Sequence, residues 1–388
     1  MRTGDSSHEA AAAPPDPAGR AAPWDMHEFF AGSGLVGLGL AGMFRPVWAN
    51  DSCPRKAAVY RANAGAGHFR LGDVRGVRGR DLPPAHLSWA SFPCQDLSLA
   101  GPMGGIEAAR SGLVWEWLRV LGEIREARGP SGAPAVLVTE NVHGLLSAGK
   151  GAHYRKLHSA LAEAGYRSGA VVVDAARFLP QSRPRVFVIA VREGVALPPG
   201  LVSGGPCWLH SRAAAALGAE LPGWIWWSAP EPGESPPRLE DLLDLSLPCD
   251  RTDVLSLVPP RHRAALDSLG DAVATGYRRV REGGQRLELR FDGLAGCLRT
   301  PDGGSSKQFL VVKKGGVARA RFLSAREAAR LMGAPEGFAL PGTPNDGYRA
   351  MGDAVALPVA RFLGRAFLAG LAEAAYSGRG GADGPGGA

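Results

Sequence analysis

The chain has 388 residues, 45% of them hydrophobic and 21% charged, which is enough to bury a full core and too apolar for a disordered polypeptide. No apolar run approaches the roughly 18 residues that span a bilayer, and the Ala/Pro-rich start lacks a continuous apolar segment, so membrane insertion and secretion are not expected. The formal charge of +7 is a mild excess that favours approach to a polyanion and does not by itself name one.

In chain order, residues 1–22 carry Ala10 to Ala13 with Pro14, Pro15 and Pro17 and show no hydrophobic periodicity, the pattern of a disordered leader. Apolar runs at 28–31, 46–49, 86–92, 135–139, 170–174 and 186–191 predict strands. Amphipathic stretches near 35–43, 55–63, 113–126 and 153–164 predict the helices between them. Such alternation is the signature of an α/β domain with a parallel, helix-covered sheet, here residues 23–192. From 193 to 300 the alternation stops, and Pro, Arg and the cluster Trp224, Trp226 and Trp227 suggest a separate, irregular domain. Helical patterns return at 325–332 and 357–374, so residues 301–376 are expected to rejoin the first domain, and the Gly-rich stretch 377–388 to form a disordered tail. The five cysteines, Cys53, Cys94, Cys207, Cys249 and Cys297, are odd in number and contain no Cys-x-x-Cys pair. That spacing argues against a disulfide framework or zinc site; a reducing cytoplasm fits, and no metal is expected.

Phe29 to Gly37 closes the first strand, opens a helix and matches Gly-x-Gly-x-x-Gly through Gly32, Gly34 and Gly37. Such a turn lets a ligand approach the backbone and offers N–H groups at a helix start. Asp51 ends the second strand, where a carboxylate meets ribose hydroxyls, and Asp73 stands where an adenine amino group would lie. The pattern suits an adenosine-bearing cofactor and does not choose between NAD and S-adenosylmethionine.

Cys94, in Ser91-Phe92-Pro93-Cys94-Gln95, follows a strand at the edge where ligands bind in open α/β sheets. A thiolate there is a nucleophile if a positive charge or helix N-terminus lowers its pKa; otherwise it is a small buried hydrophobe. The Gly-rich stretch 100–112 that follows reads as a loop able to close over a substrate. Glu140 ends another strand, either as a helix cap or as a protonated donor to substrate. Arg183 and Arg185, two residues apart at a strand entry, point the same way and can fix a carbonyl oxygen or a phosphate.

In their order, Phe-x-Gly-x-Gly (Phe30, Gly32, Gly34), Pro-Cys-Gln (Pro93 to Gln95), Glu-Asn-Val (Glu140 to Val142) and Gln-x-Arg-x-Arg (Gln181, Arg183, Arg185), the motifs resemble those of the DNA cytosine-5 methyltransferases. Residues 322–333 and Gly352 to Val355 look like that family's last two motifs. The resemblance implies a Rossmann-like methyltransferase domain with a smaller target-recognition domain at 193–300. It implies methylation of cytosine C5 in a specific duplex DNA sequence, the base being flipped out of the helix. Cys94 would add to C6, Glu140 would contact N3, and Arg183 and Arg185 would support the site. Phe30, Ala31, Gly32, Ser33, Gly34, Asp51, Asp73, Val74, Pro93, Leu113, Asp353 and Ala354 would hold S-adenosylmethionine. Gln95, Ser98, Lys307 and Arg326 would meet DNA.

The resemblance further implies a cytoplasmic, nucleoid-associated monomer, in restriction-modification with a cognate endonuclease or as an orphan enzyme. Two departures stand out: Leu35 replaces a usual Gly, and Asp353 replaces the usual Asn, adding a charge near the cofactor. An oxidoreductase would use the glycine loop and Asp51 but leaves Pro-Cys-Gln and Glu-Asn-Val unexplained. A decayed fold that only binds DNA is disfavoured by the full catalytic set, and an RNA substrate by the sizeable middle domain. Between residues 303 and 331, seven Lys or Arg face one acid, Glu327, a local excess suited to phosphate contact.

Overall fold

The computed structural model describes residues 23–94, 106, 112–300 and 307–377. The expected leader, tail, most of the closing loop, Gln95 and Ser98 lie outside the described residues. In chain order the elements are β1 (Trp24–Phe29), α1 (Leu35–Gly39), β2 (Phe44–Asp51), α2 (Pro54–Ala64), β3 (Phe69–Leu71), β4 (Leu87–Ala90), α3 (Leu113–Arg128), β5 (Val136–Asn141), α4 (Gly144–Ser147), α5 (Ala152–Glu163), β6 (Tyr166–Asp174) and β7 (Pro184–Arg192). They continue with α6 (Arg212–Glu220), α7 (Pro260–Ser268), β8 (Ala272–Arg281), β9 (Gly284–Arg290), β10 (Phe309–Lys314), β11 (Val317–Phe322), α8 (Ala325–Leu331), α9 (Pro344–Gly352), α10 (Leu357–Leu363) and α11 (Ala369–Tyr376).

Strands β1 to β7 form one sheet in the order β3-β2-β1-β4-β5-β7-β6. Strand order reverses beside β1, which pairs in parallel with both β2 and β4, and that reversal opens a crevice at the carboxyl edge. The sheet is not all parallel, as the β-α alternation had suggested: β7 runs antiparallel to β5 and β6. Only residues 175–183 join β6 to β7, too few for a helical crossover, so the chain must turn back. The reversal brings the Arg183–Arg185 entry to the edge that carries the ends of β1, β2, β4 and β5.

The division expected at 193 falls elsewhere. Ile225 N–H donates to Ser168 O at 3.0 Å beside β6, and the fully buried Trp227 donates Nε1–H to Ile189 O at 3.1 Å. Trp227 is thus a core side chain of the first domain, and the half-buried Trp224 packs against that core. Their Pro-rich surroundings read as irregular because composition does not report what an aromatic face packs against.

A second, antiparallel sheet has the order β11-β10-β8-β9. It joins strands on both sides of residue 300, so the expected boundary at 300/301 cuts through it. The expectation of an irregular region passed over its hairpin signal: Gly283-Gly284 and Gly315-Gly316 each stand between runs of apolar and basic residues. One face buries Phe309, Val311, Ala320, Leu287 and Leu289 against Val254, Leu255 and Leu266. The run 344–376 is long and apolar enough to cross a membrane by composition. It is instead largely core, with Tyr348, Met351, Leu363, Phe367 and Leu371 buried, and it returns to pack α10 on α1, where an added Cβ at Gly39 would lie 2.7 Å from Leu357 O.

Candidate active site

A cleft of about 230 Å³ opens at the carboxyl edge and is lined by the ends of β1, β2, β4 and β5 and the entry to β7. Phe30, Gly32, Asp51, Asp73, Val74, Pro93, Cys94, Leu113, Glu140, Arg183, Arg185 and Asp353 all line it. Ala31 and Ala354 line a smaller adjoining cavity that Phe30, Gly32 and Asp353 share.

The glycine loop is built by its own strains. Phe30 holds φ +55°, rare for a bulky side chain and a mark of a functional constraint, and Gly32 and Gly34 hold φ +58° and +82°. Asp51 fixes the loop: its Oδ2 accepts from Gly32 N–H at 3.0 Å and its Oδ1 from Cys53 N–H at 2.8 Å. Gly37 must stay small, because an added Cβ would meet Glu28 Oε2 and Pro46 Cγ at 2.9 Å. The cradle fits an adenosine-bearing cofactor on three counts. A Cβ at Gly32 meets nothing nearer than 4.0 Å, Gly72 faces open space, and Ser33 Oγ is buried without a partner. Asp73 faces the cleft but is engaged by Arg75, through its N–H at 2.9 Å and its guanidinium at 3.0 Å.

The turn that carries Cys94 is braced from β5: Thr139 Oγ1 donates to Ala90 O at 2.8 Å and Asn141 Nδ2 to Phe92 O at 3.1 Å. Burial and then the Glu140 carboxylate push the Cys94 thiol up, and Arg185 pulls it down less strongly. The expected lowering is therefore not present. The nearest cation is already engaged, because Arg185 Nε lies 3.1 Å from Glu140 Oε1. Burial raises the Glu140 carboxyl as well, against the pull of Arg185 and Arg183, so this carboxyl holds a proton more readily than an exposed one.

The two arginines differ. Arg183 is fully buried and donates to Leu298 O at 2.9 Å, Gly352 O at 2.8 Å and Ala354 O at 2.7 Å. Arg185 faces the cleft beside Glu140. Cys297, read from sequence only as an unpaired thiol, has its Sγ 3.4 Å from Arg183 Nη1 and 3.5 Å from Arg185 Nη2. Burial raises that thiol, but the two guanidinium groups outweigh it and lower it overall. No sequence pattern marked it, since its partners lie more than 110 residues away. Lys56 and Asn50 also line the cleft and carried no motif, and Ser91 joins them there.

The basic stretch is partly occupied within the protein. Arg321 forms a buried bidentate pair with Glu327 at 2.8 and 2.6 Å, and Lys313 donates to three carbonyls at the end of α7. Arg330 pairs with Glu336 at 2.8 Å. Arg326, expected at DNA, donates to Phe338 O at 2.8 Å; a count of charges does not reveal such partners. Lys307 stacks over Phe322 at 5.5 Å, while Lys314 and Arg319 are exposed. A second cleft of about 380 Å³ lies between Ser182 and Cys297 on one side and Arg279, Arg290 and Arg299 on the other. The buried Gln308 amide lines it with neither Nε2 nor Oε1 partnered.

Comparison with known proteins adds the following. The family described as C-5 cytosine-specific DNA methylase matches residues 24–213 and 276–369. Type II methyltransferase M.Bsp6I of Bacillus sp. (strain RFL6) is 31% identical over 169 residues, 42% of this chain and 51% of that one, so the match spans about half of that relative. Type II methyltransferase M1.ScrFI of Lactococcus lactis subsp. cremoris is 22% identical over 352 residues, 90% of this chain and 79% of its own. The crystal structure of the S. pombe Dnmt2 methyltransferase shares the fold, with a TM-score of 0.55 at 19% identity, covering 88% of this chain and 96% of that one.

Proposed function

We propose, from the premise that the chain belongs to the C-5 cytosine-specific DNA methylase family, that it methylates C5 of cytosine in a specific duplex sequence through a covalent bond from Cys94. The observation that carries this reading is the meeting of Cys94, Glu140 and Arg185 in the cleft that the glycine loop and Asp51 also line. Cofactors of this family, S-adenosylmethionine, supply an electrophilic methyl group on a sulfonium. Phe30, Asp51, the glycine loop and Asp353 would hold it, and the cytosine would be flipped out of the duplex to reach the thiol.

The Cys94 sulfur bonds to cytosine C6 while the Glu140 carboxyl gives its proton to N3, so electron density gathers at C5. Arg185 holds O2 and stabilises the resulting charge. C5 would then take the methyl group, a base removes the C5 proton, and the C6–S bond breaks to expel the thiolate as N3 returns its proton to Glu140. Because burial and Glu140 raise the resting thiol, Cys94 gives its proton to solvent as the substrate binds, while Glu140 is still protonated and Arg185 favours the thiolate.

The exposed Lys314 and Arg319 of the second sheet support a role in meeting DNA. We assign target recognition to the part of the chain that includes this sheet, and to the protein a monomeric state in the cytoplasm, at the nucleoid. The Type II relatives support a modification role beside a cognate endonuclease. Purified protein is expected to transfer tritiated methyl to cytosine-containing duplex DNA, and Cys94→Ser to abolish transfer. Duplexes with 5-fluorocytosine should trap a covalent adduct, because fluorine cannot leave as a proton does. Full transfer by Cys94→Ser, or active enzyme that forms no adduct, would overturn the mechanism.

A further inference from the structure

Asp353 departs from the family's usual Asn and brings a negative charge to a cleft built for a cationic cofactor. The structure supplies a counter-charge. Lys56 Nζ, on α2, lies 2.6 Å from Asp353 Oδ2, and the Thr300 hydroxyl bonds to Oδ1. Lys56 is 19% exposed and Asp353 41%, and both line the cleft together with Asp51 and Cys94. The geometry around them is tight: a Cβ at Gly352 would lie 2.6 Å from the Arg299 carbonyl carbon and 2.7 Å from Thr300 N. The acid is thus held in place by α2 on one side and the approach to the second sheet on the other.

We propose that Lys56 is a cofactor-site positioning residue whose ion pair with Asp353 keeps this corner of the cleft electrically neutral. The pair lets a carboxylate accept hydrogen bonds where the family uses an amide, without altering the site's preference between a sulfonium cofactor and its uncharged thioether product. The Asp353 charge is felt across the cleft, since it opposes ionisation of both Cys94 and Glu140, so neutralising it also favours the thiolate. The inference rests on the cofactor placement proposed above.

Unbalancing the pair should move affinity for the charged ligand and not for the neutral one. Full-length protein and its variants are titrated calorimetrically with S-adenosylmethionine and, separately, S-adenosylhomocysteine, without DNA. Asp353→Asn leaves the lysine charge bare and should weaken the sulfonium relative to the thioether by roughly fivefold, a single unit charge acting across a partly solvated cleft. Lys56→Met should shift the ratio by a similar factor the other way. The double variant Lys56→Met/Asp353→Asn should restore the wild-type ratio.

If both ligands move together in each single variant, the pair only shapes the pocket and the proposal fails. Asp51→Ala is the control for placement: it should weaken both ligands. Unchanged affinity for both ligands in Asp51→Ala would reject the placement, and this inference with it.

Discussion

Arg183 and Arg185 stand two residues apart on one strand face, and their surroundings give them different work. Three backbone carbonyls, from Leu298, Gly352 and Ala354, end on Arg183, so this buried cation ties the approach to the second sheet to the returning C-terminal segment. Arg183→Met would leave those carbonyls without donors and should destabilise the protein by about 3 kcal/mol, read by urea unfolding. Arg185→Lys should cost under about 1 kcal/mol of stability and yet slow methyl transfer by on the order of tenfold or more, because a point charge cannot replace a planar fork beside Glu140. Equal stability losses in the two variants would mean that both are structural. The motif located both residues but not this division, since nothing in Gln-x-Arg-x-Arg names carbonyls that lie more than 110 positions away. Lys56 was illegible for the same reason: an amphipathic helix carries lysines routinely, and its partner is Asp353.

Packing between β1, α1 and α2 turns on Glu28, one place before the core of the glycine motif. Glu28 Oε1 accepts from Gly37 N–H at 3.3 Å, and its Oε2 lies 3.3 Å from the Tyr60 hydroxyl, which is 2.9 Å from His68 Nε2. Burial pushes this carboxyl up to about 8. A folded-state value above the unfolded one means that the folded protein binds the proton more tightly. The contribution of this group is therefore full below about pH 4.5 and lost as pH rises through about 8. Glu28→Gln keeps the acceptor for Gly37 and can donate to the Tyr60 oxygen, while removing the titration. Its stability minus that of wild type should rise by on the order of 4 kcal/mol between pH 4.5 and 8, cancelling the other carboxylates common to both; a flat difference would show that Glu28 is already ionised in the fold.

At this scale the sequence was read well where periodicity sufficed: α2, α3, α5 and the strands that lead to Asp51, Cys94 and Glu140 all formed near their expected positions. The direction of β7 was not read, because hydrophobic runs carry no polarity. Only the short connection from β6 reveals it, and a reversed β7 is what brings Arg185 to Glu140.

Taken as one body, the molecule presents its charge unevenly. Side chains directly opposed in an antiparallel ladder share a face. The register therefore puts Val312 and Lys314 with Val317 and Arg319, and Tyr277 and Arg279 with Glu288 and Arg286, on the face opposite the Phe309–Val311–Ala320 core. Leu310 on that same face joins the first domain's core, and Arg321 is held by Glu327, so the inner end of the face is docked. Its arginines on β8 and β9 are largely paired with Glu288, Glu282 and Asp292. Lys314 and Arg319 stand exposed at the outer end.

A net charge of +7 could not tell these classes apart, and the expectation that Arg326 meets DNA took no account of its bond to Phe338 O. Salt dependence separates them, since each phosphate neutralised on duplex DNA contributes about 0.9 to the slope of log K against log salt. Measured by fluorescence anisotropy on a labelled duplex, Lys314→Gln/Arg319→Gln should weaken binding and lower that slope by about 2, while Arg326→Gln should leave it unchanged. A slope that drops with Arg326 and ignores the outer pair would move the DNA path off the second sheet and onto α8, where the guanidinium would have to leave Phe338 O to reach a phosphate.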